Sequence, residues 1–403
     1  MLKKYISSDI ITEAGCTAVL PICFLLAVFY ETLFNQAMIA LGFVFFCVVL
    51  FSASWRFETG LFDKFIIAAV AASFITTLRA ADIFADAGAA YTHIEELQRI
   101  ISAFMIASVL YHRQRRAFDR SMTIISWEIW LTMIYELVRH AQQLLQAEGI
   151  VSFSTFEKFL IHLRNLKLYA TISFYRHPIP AMTVLLVGWA IPMVRGNKRV
   201  DFALKAFYIP LVILIYSRSA WLGAAALLGL VLLEGRREKG KSIGSFWIVI
   251  VAAMIAALGA IYYLMVVRGV RTSMERIRYW VYLLTTMFPE RPLISKIFGN
   301  GFYTSVVMDQ TPVANPGFPA VDNAFLTILY ENGMVGFTAV VGLLIRALKS
   351  AWEVREERCY ANALLAASVT AVFYEIHFWD QAGFLVAVLA AVFFGGRKSE
   401  VRK

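Results

Sequence analysis

The chain has 403 residues, of which 60% are hydrophobic and only 16% charged, and its mean hydropathy is +0.66; soluble domains are roughly half apolar. A formal net charge of +10 would suit a nucleic-acid partner, but about two thirds of the 38 Lys and Arg fall in the short loops on one side of the apolar runs, the bias expected of cytoplasmic loops. These features argue against a soluble enzyme and against nucleic-acid binding, and they predict an all-α polytopic membrane protein with a single integral membrane domain over 1–403.

Cysteine usage adds little. Cys16, Cys23 and Cys47 fall in apolar runs and Cys359 in a charged loop, while Cys16 and Cys23 stand about 10 Å apart along one helix. No disulfide framework, metal site or cofactor is expected. The basic start MLKKYISSDI is followed by no small-residue cleavage site, so no removable signal peptide is expected either.

In chain order, spans are predicted near 13–30, 36–54, 65–82 and 97–112, with Lys3, Lys4, Arg56 and Lys64 on one side and DIFADAGAAYTHIEE opposite. The basic cluster HRQRRAFDR at 112–120 marks the cytoplasmic side most strongly. It precedes a fifth span, 121–145, in which Glu136, Arg139 and His140 stand at i, i+3 and i+4 and can neutralise one another. An external segment, about 146–178, carries Arg164, Lys167, Arg176 and His177, and a sixth span, 179–194, ends in VRGNKR.

Spans seven and eight form a tight outward hairpin in IPLVILIYSRSAWLGAAALLGLVLLE, where Ser217, Arg218 and Ser219 make the turn. That leaves an Arg at a helix N-terminus, where free N–H groups and the helix dipole favour an anion. GRREKGK returns into span nine, 244–267. Span ten runs over 323–345, and spans eleven and twelve meet outside at His377, Trp379 and Asp380 before the cytoplasmic tail RKSEVRK. About twelve transmembrane helices result, with both termini inside.

Between spans nine and ten lies the large external loop, 268–321. Thr272 and Glu275 make a capping box, and Ile277, Val281, Leu284 and Phe288 recur on one face until Pro289 and Pro292 stop the helix. This predicts an amphipathic helix on the outer membrane face. Arg276 and Arg278 fall on opposite flanks of its apolar stripe, so one can face a cavity in the bundle while the other meets headgroups; interfacial anchoring by Arg and Trp280 is the plainer alternative. FGNGFY supplies two glycines for a tight or left-handed turn.

These residues carry a resemblance. SRSAWLGAAALLGLVLL resembles the Ser-Arg-containing helix of the bacterial O-antigen ligase and polymerase superfamily, and ERIRYWVYLLTTMFPERPLISKIFGNGFY resembles its Arg-x-x-x-Trp, Pro-Leu, Gly-x-Gly segment. VDNAFLTILYENGMVGF is similar to the family signature of a polar residue and Asn, an apolar run, and Glu-x-Gly-x-x-Gly. FYRHPIPAMTVLL matches more loosely an external Arg before a His/Asn-Pro stretch. Together the motifs cover roughly residues 170–345 in the family's order.

The resemblance implies a metal-independent, inverting glycosyltransferase of the GT-C type in the bacterial inner (plasma) membrane, acting at the external face. The donor would be an undecaprenyl diphosphate-linked glycan, and the acceptor a glycan or lipid. Membrane lipids and a chain-length regulator are the other implied partners. By motif position, Arg176, Arg218 and Arg276, with Arg278 as the alternate, would meet the diphosphate leaving group, a task suited to planar guanidinium forks. The implied catalytic set is Asp322, Asn323, Arg276 and Arg218; Arg176, His177, Arg278, Ser217, Ser219 and Glu331 make the implied substrate-binding set.

Asp322 stands where family ligases often carry part of a His-containing motif. A carboxylate can accept a hydroxyl proton as His can, but the departure favours a polymerase joining lipid-linked repeat units over a ligase that transfers O-antigen to lipid A core. Two readings of Asp322 stay open, a general base for the acceptor hydroxyl or the N-cap of span ten. A transporter or flippase for lipid-linked sugars also suits the composition. Polar residues gathered at one face and in one asymmetric loop fit less well with the inverted repeats and broken midplane helices of transporters.

Overall fold

A computed structural model describes residues 8–51, 59–80, 87–148, 178–214, 218–238, 278–302, 304, 323–372 and 380–395. Their regular structure is entirely helical. The helices are α1 (Ser8–Phe29), α2 (Glu31–Phe51), α3 (Leu61–Arg79), α4 (Ala87–Arg113), α5 (Arg115–Glu148), α6 (Pro178–Ala190), α7 (Lys198–Lys205), α8 (Tyr208–Leu214), α9 (Arg218–Glu238), α10 (Leu293–Phe298), α11 (Ala324–Glu353), α12 (Arg358–Ala371) and α13 (Asp380–Ala391). Among the described residues, α3 and α11 are long and apolar enough to cross a membrane, and five further apolar helical stretches are shorter, Glu13–Phe29 and Pro180–Ala190 among them. The sequence does not anticipate α7, a short helix capped by Asn197, whose side chain accepts from Val200 N. Span nine lies outside the described residues.

The centre of the bundle follows from composition. PIPAMTVLLVGWA in α6 is apolar on every side, so it is buried on every side: Val184, Leu185, Leu186 and Val187 are all inaccessible. Against it lies α12, whose Ala361, Ala363, Ala366 and Ala367 let backbones approach closely. The hydroxyls of Thr183 and Thr370 hydrogen-bond across this contact at 2.9 Å. The third helix of the crossing, α9, presents Gly223, where an added Cβ would lie 2.6 Å from Thr370 Cγ2 and 2.7 Å from Leu186 Cδ1.

Alongside this centre, α3 runs antiparallel to α11. Near its start, Asp63 pairs with Arg346; near its end, Ser73 Oγ donates to Asn332 Oδ1 and Thr77 Oγ1 accepts from Phe302 N. The bundle therefore has two polar ends, one at the start of α11 and one at its finish.

At the finish, the basic cluster HRQRRAFDR comes together with the charged stretch VREERCY at 354–360. Asp119 accepts from Arg115 and Arg195, both at 3.2 Å, and from the Tyr360 hydroxyl at 2.6 Å. The Arg115 guanidinium lies 4.0 Å from the centre of the Tyr111 ring, and Tyr111 donates at 2.6 Å to Glu357, whose other oxygen accepts from Ser350 Oγ. Asp63 also accepts from Gly60 N at 2.7 Å and Gly395 N at 3.0 Å. Burial works against the Arg195 proton, but Tyr360 and Asp119 together outweigh it and raise the guanidinium above its ordinary value.

Candidate functional site

The other end is built around the first turns of α11. Asn323, in extended geometry, is the N-cap: its Oδ1 accepts from Phe325 N at 3.0 Å and Leu326 N at 3.1 Å. Its backbone carbonyl takes the first helical bond, from Thr327 N at 2.9 Å. This corrects the reading of Asp322 as the cap of span ten, because the helix begins one residue later and the neighbouring amide already fills that role. Asp322 itself lies outside the described residues.

Two turns further on, α11 is interrupted. Gly333 has φ 63 and ψ −166 inside the helix, and the turn after α10 docks into the break. Gly301 N donates to the Glu331 carbonyl at 2.9 Å, and Phe302 N donates to Thr77 Oγ1 at 2.8 Å. A Cβ on Gly299, itself at φ 82, would collide with the Glu331 carbonyl, and one on Gly333 would collide with the Ile297 carbonyl. Glycine is needed here both for the left-handed backbone and for the close approach. The Gly-x-Gly and Glu-x-Gly segments thus form one clasp, and Glu331 is buried within it at 0% exposure.

The segment entering the clasp departs from its predicted form. From Arg278 it is helical, passes through a π-turn at Leu283–Met287 and continues to Phe288–Glu290, so Pro289 does not end it. Phe288 N reaches back five residues to the Leu283 carbonyl, and Pro289 follows where the wider turn already interrupts the α ladder. The chain leaves helical geometry at Arg291, ahead of Pro292.

The faces of this helix also differ from expectation. Val281 and Leu284, on the predicted stripe, are 53% and 44% exposed. Tyr279 and Leu283 are the buried pair, packed with Trp280 and Met287 against Tyr330 and Leu326 of α11. The segment therefore has an apolar face seated on α11 and a second one turned outward. Arg278 is exposed.

Arg291 is the residue that sequence reasoning missed. Its guanidinium lies 3.1 Å from the centre of the Tyr330 ring, and Nη1 donates to the Tyr330 carbonyl at 3.0 Å. Nη2 is buried and makes no hydrogen bond among the described residues. Burial pushes the group below the ordinary arginine value, to about 9, with Tyr279 acting in the opposite direction; it remains a cation at neutral pH. The only local signal was Pro-Glu-Arg-Pro, which fixes the backbone on both sides of the arginine.

Beneath the clasp, an apolar cavity of about 270 Å³ lies between α3, α4, α11, α12 and α13. Phe302, Ala324 and Phe325 line it near the start of α11, and Ser73 and Asn332 are among its few polar contacts.

Of the residues named from sequence, Asn323, Glu331 and Arg278 belong to this end of the bundle. Arg218 and Ser219 begin α9, and their side chains lie outside the described residues. The same is true of Arg176, His177, Ser217, Arg276 and Asp322 as whole residues. A scan against protein-family models and a search of curated proteins found no match to this chain.

Proposed function

We propose that the protein is a polytopic membrane glycosyltransferase that polymerises undecaprenyl diphosphate-linked repeat units at the external face of a bacterial inner membrane. The observation that supports it is convergence: the Asn323, Glu331-x-Gly333 and Gly299-x-Gly301 segments, which carried the resemblance separately, meet at the head of α11 above an apolar cavity. Such a cavity suits part of a prenyl chain, and a polar rim above it suits the diphosphate.

In this reading the acceptor hydroxyl attacks the anomeric carbon of the donor from the side opposite the diphosphate, so the configuration inverts. Asp322 takes the hydroxyl proton as the new glycosidic bond forms. The bond to the diphosphate oxygen breaks, and Arg218 and Arg276 stabilise the charge that develops there. The Arg278–Phe302 segment covers the reacting groups and keeps water out. Asn323 holds the α11 backbone beside Asp322; its amide oxygen is committed to the cap, leaving its N–H groups for the substrate.

The test is incubation of the purified protein in lipid nanodiscs with a lipid-linked repeat unit, alone and with lipid A core. A ladder of lipid-linked products without the core supports the polymerase, addition to the core alone identifies a ligase, and no transfer in either arm counts against the reading. Labelling of cysteines introduced as Glu238→Cys and Asp309→Cys tests sidedness, since only the second should react from outside.

A further inference from the structure

A guanidinium taken out of water needs a compensating charge, because an unpaired buried cation costs several kcal/mol. Arg291 has none on its own chain among the described residues. Its hydrogen bond and its ring contact are both to Tyr330, the Tyr279 phenol also acts on it electrostatically, and its neighbour Glu290 is exposed and forms no ion pair with it. At the Asp119 end, by contrast, Arg115, Arg195 and Arg346 each meet a carboxylate.

The rest of the geometry is that of a prearranged donor. Pro289 and Pro292 flank the residue, the π-turn comes just before it, and Tyr330 holds the plane and one nitrogen of the guanidinium in place. Nη2 is left unspent. A planar fork with one arm pinned and one arm available is well suited to a phosphate oxygen.

We infer that Arg291 is an anion-binding residue of this site, which takes a phosphate of the lipid-linked diphosphate on its Nη2 side while Tyr330 holds it in register. The inference rests on the proposed reaction for the identity of the ligand, but its own observation is a guanidinium with no carboxylate partner among the described residues and one buried nitrogen without a hydrogen bond. Because Nη2 is shielded in the closed arrangement, the phosphate enters as the Arg278–Phe302 segment lifts from α11, and Arg291 closes over it. Arg291 is thus a clamp that completes the binding of the donor when the segment reseats.

The experiment measures binding rather than turnover. Wild type, Arg291→Gln and Arg291→Lys in nanodiscs are titrated with undecaprenyl diphosphate, undecaprenol, inorganic pyrophosphate and, as a bulk headgroup, phosphatidylglycerol. Arg291→Gln should weaken undecaprenyl diphosphate and pyrophosphate about tenfold or more, the scale of a charge-assisted hydrogen bond, and leave undecaprenol unchanged. Arg291→Lys, which keeps the charge and loses the fork, should fall between. Equal weakening of undecaprenol would mean that Arg291 only holds the segment on α11, and would overturn the inference. So would wild-type diphosphate affinity in Arg291→Gln, or a loss confined to phosphatidylglycerol. If wild type makes no polymer yet Arg291→Gln loses diphosphate affinity, the clamp stands and the polymerase falls; if wild type makes polymer and Arg291→Gln keeps its affinity, the polymerase stands and the clamp falls.

Discussion

The two polar ends of the bundle use similar residues in opposite ways. At one end, Arg115 and Arg195 share Asp119, Arg346 meets Asp63, and Tyr111 and Ser350 share Glu357. At the other, Arg291 sits against an aromatic face and a carbonyl and pairs with no carboxylate among the described residues, although Glu331 is buried in the same clasp. Paired charges lock helices that must not move relative to one another, and little capacity is left for a ligand. A cation held without its counter-ion is unfavourable for the empty protein but favourable for an anion that arrives later. Under the proposed function, the contrast separates the end that keeps the bundle together from the end that meets the substrate.

The most disruptive change should be Asp119→Ala, which strips two guanidiniums and the Tyr360 hydroxyl of one acceptor. We expect a loss of about 3 kcal/mol, seen as a lower unfolding temperature in detergent, with diphosphate affinity unchanged in the protein that remains folded. Loss of affinity without loss of stability would erase the distinction between the ends.

Asp322→Asn and Asp322→Ser should do the converse. Because Asn323 provides the cap, neither replacement should lower the unfolding temperature, yet turnover should drop roughly 100-fold, the usual scale of a general base. Near-normal turnover in both would end the role of Asp322 as base and direct attention to His177.

A smaller effect is expected from Gly299→Ala, where the new Cβ meets the Glu331 carbonyl and the backbone has φ 82. The clasp should weaken by about 2 kcal/mol, measurable as faster proteolysis of the Arg278–Phe302 segment alongside lower turnover. Gly229→Ala is the control. That glycine lies in α9 with nothing within 4 Å of an added Cβ, and the change should stabilise the helix by up to about 1 kcal/mol. The smallest effect belongs to Arg278→Gln, an exposed position where stability should move by less than about 0.5 kcal/mol; a large drop in diphosphate binding there would transfer the clamp from Arg291 to Arg278.

Much of the fold could be read from the chain before any contact was known. Run length and hydropathy mark the helices: α1 to α6, α8, α9 and α11 to α13 lie on stretches read as apolar runs, and among the described residues α3 and α11 are the ones long and apolar enough to cross a membrane. The turn at FGNGFY was legible because glycine alone takes positive φ freely, and Gly299 and Gly301 do so at 82° and 109°. The sequence pattern was less informative where a segment has two apolar faces. It marked Val281 and Leu284, whereas the face seated on α11 is Tyr279 and Leu283, since periodicity reports that a face is apolar without saying what it meets.

What the sequence determined by itself is therefore local: helical class, the Gly-x-Gly turn and an Asn at the head of an apolar helix. Tertiary structure decided that this Asn, and not Asp322, caps α11, because the choice depends on where the first helical bond begins. It also decided the partners of the charges. Asp119 and Tyr360 stand 241 positions apart, and Arg291 and Tyr330 stand 39 apart. A charged residue carries no local mark of whether packing will bring it a carboxylate or an aromatic ring, because desolvation and pairing are properties of the assembled bundle.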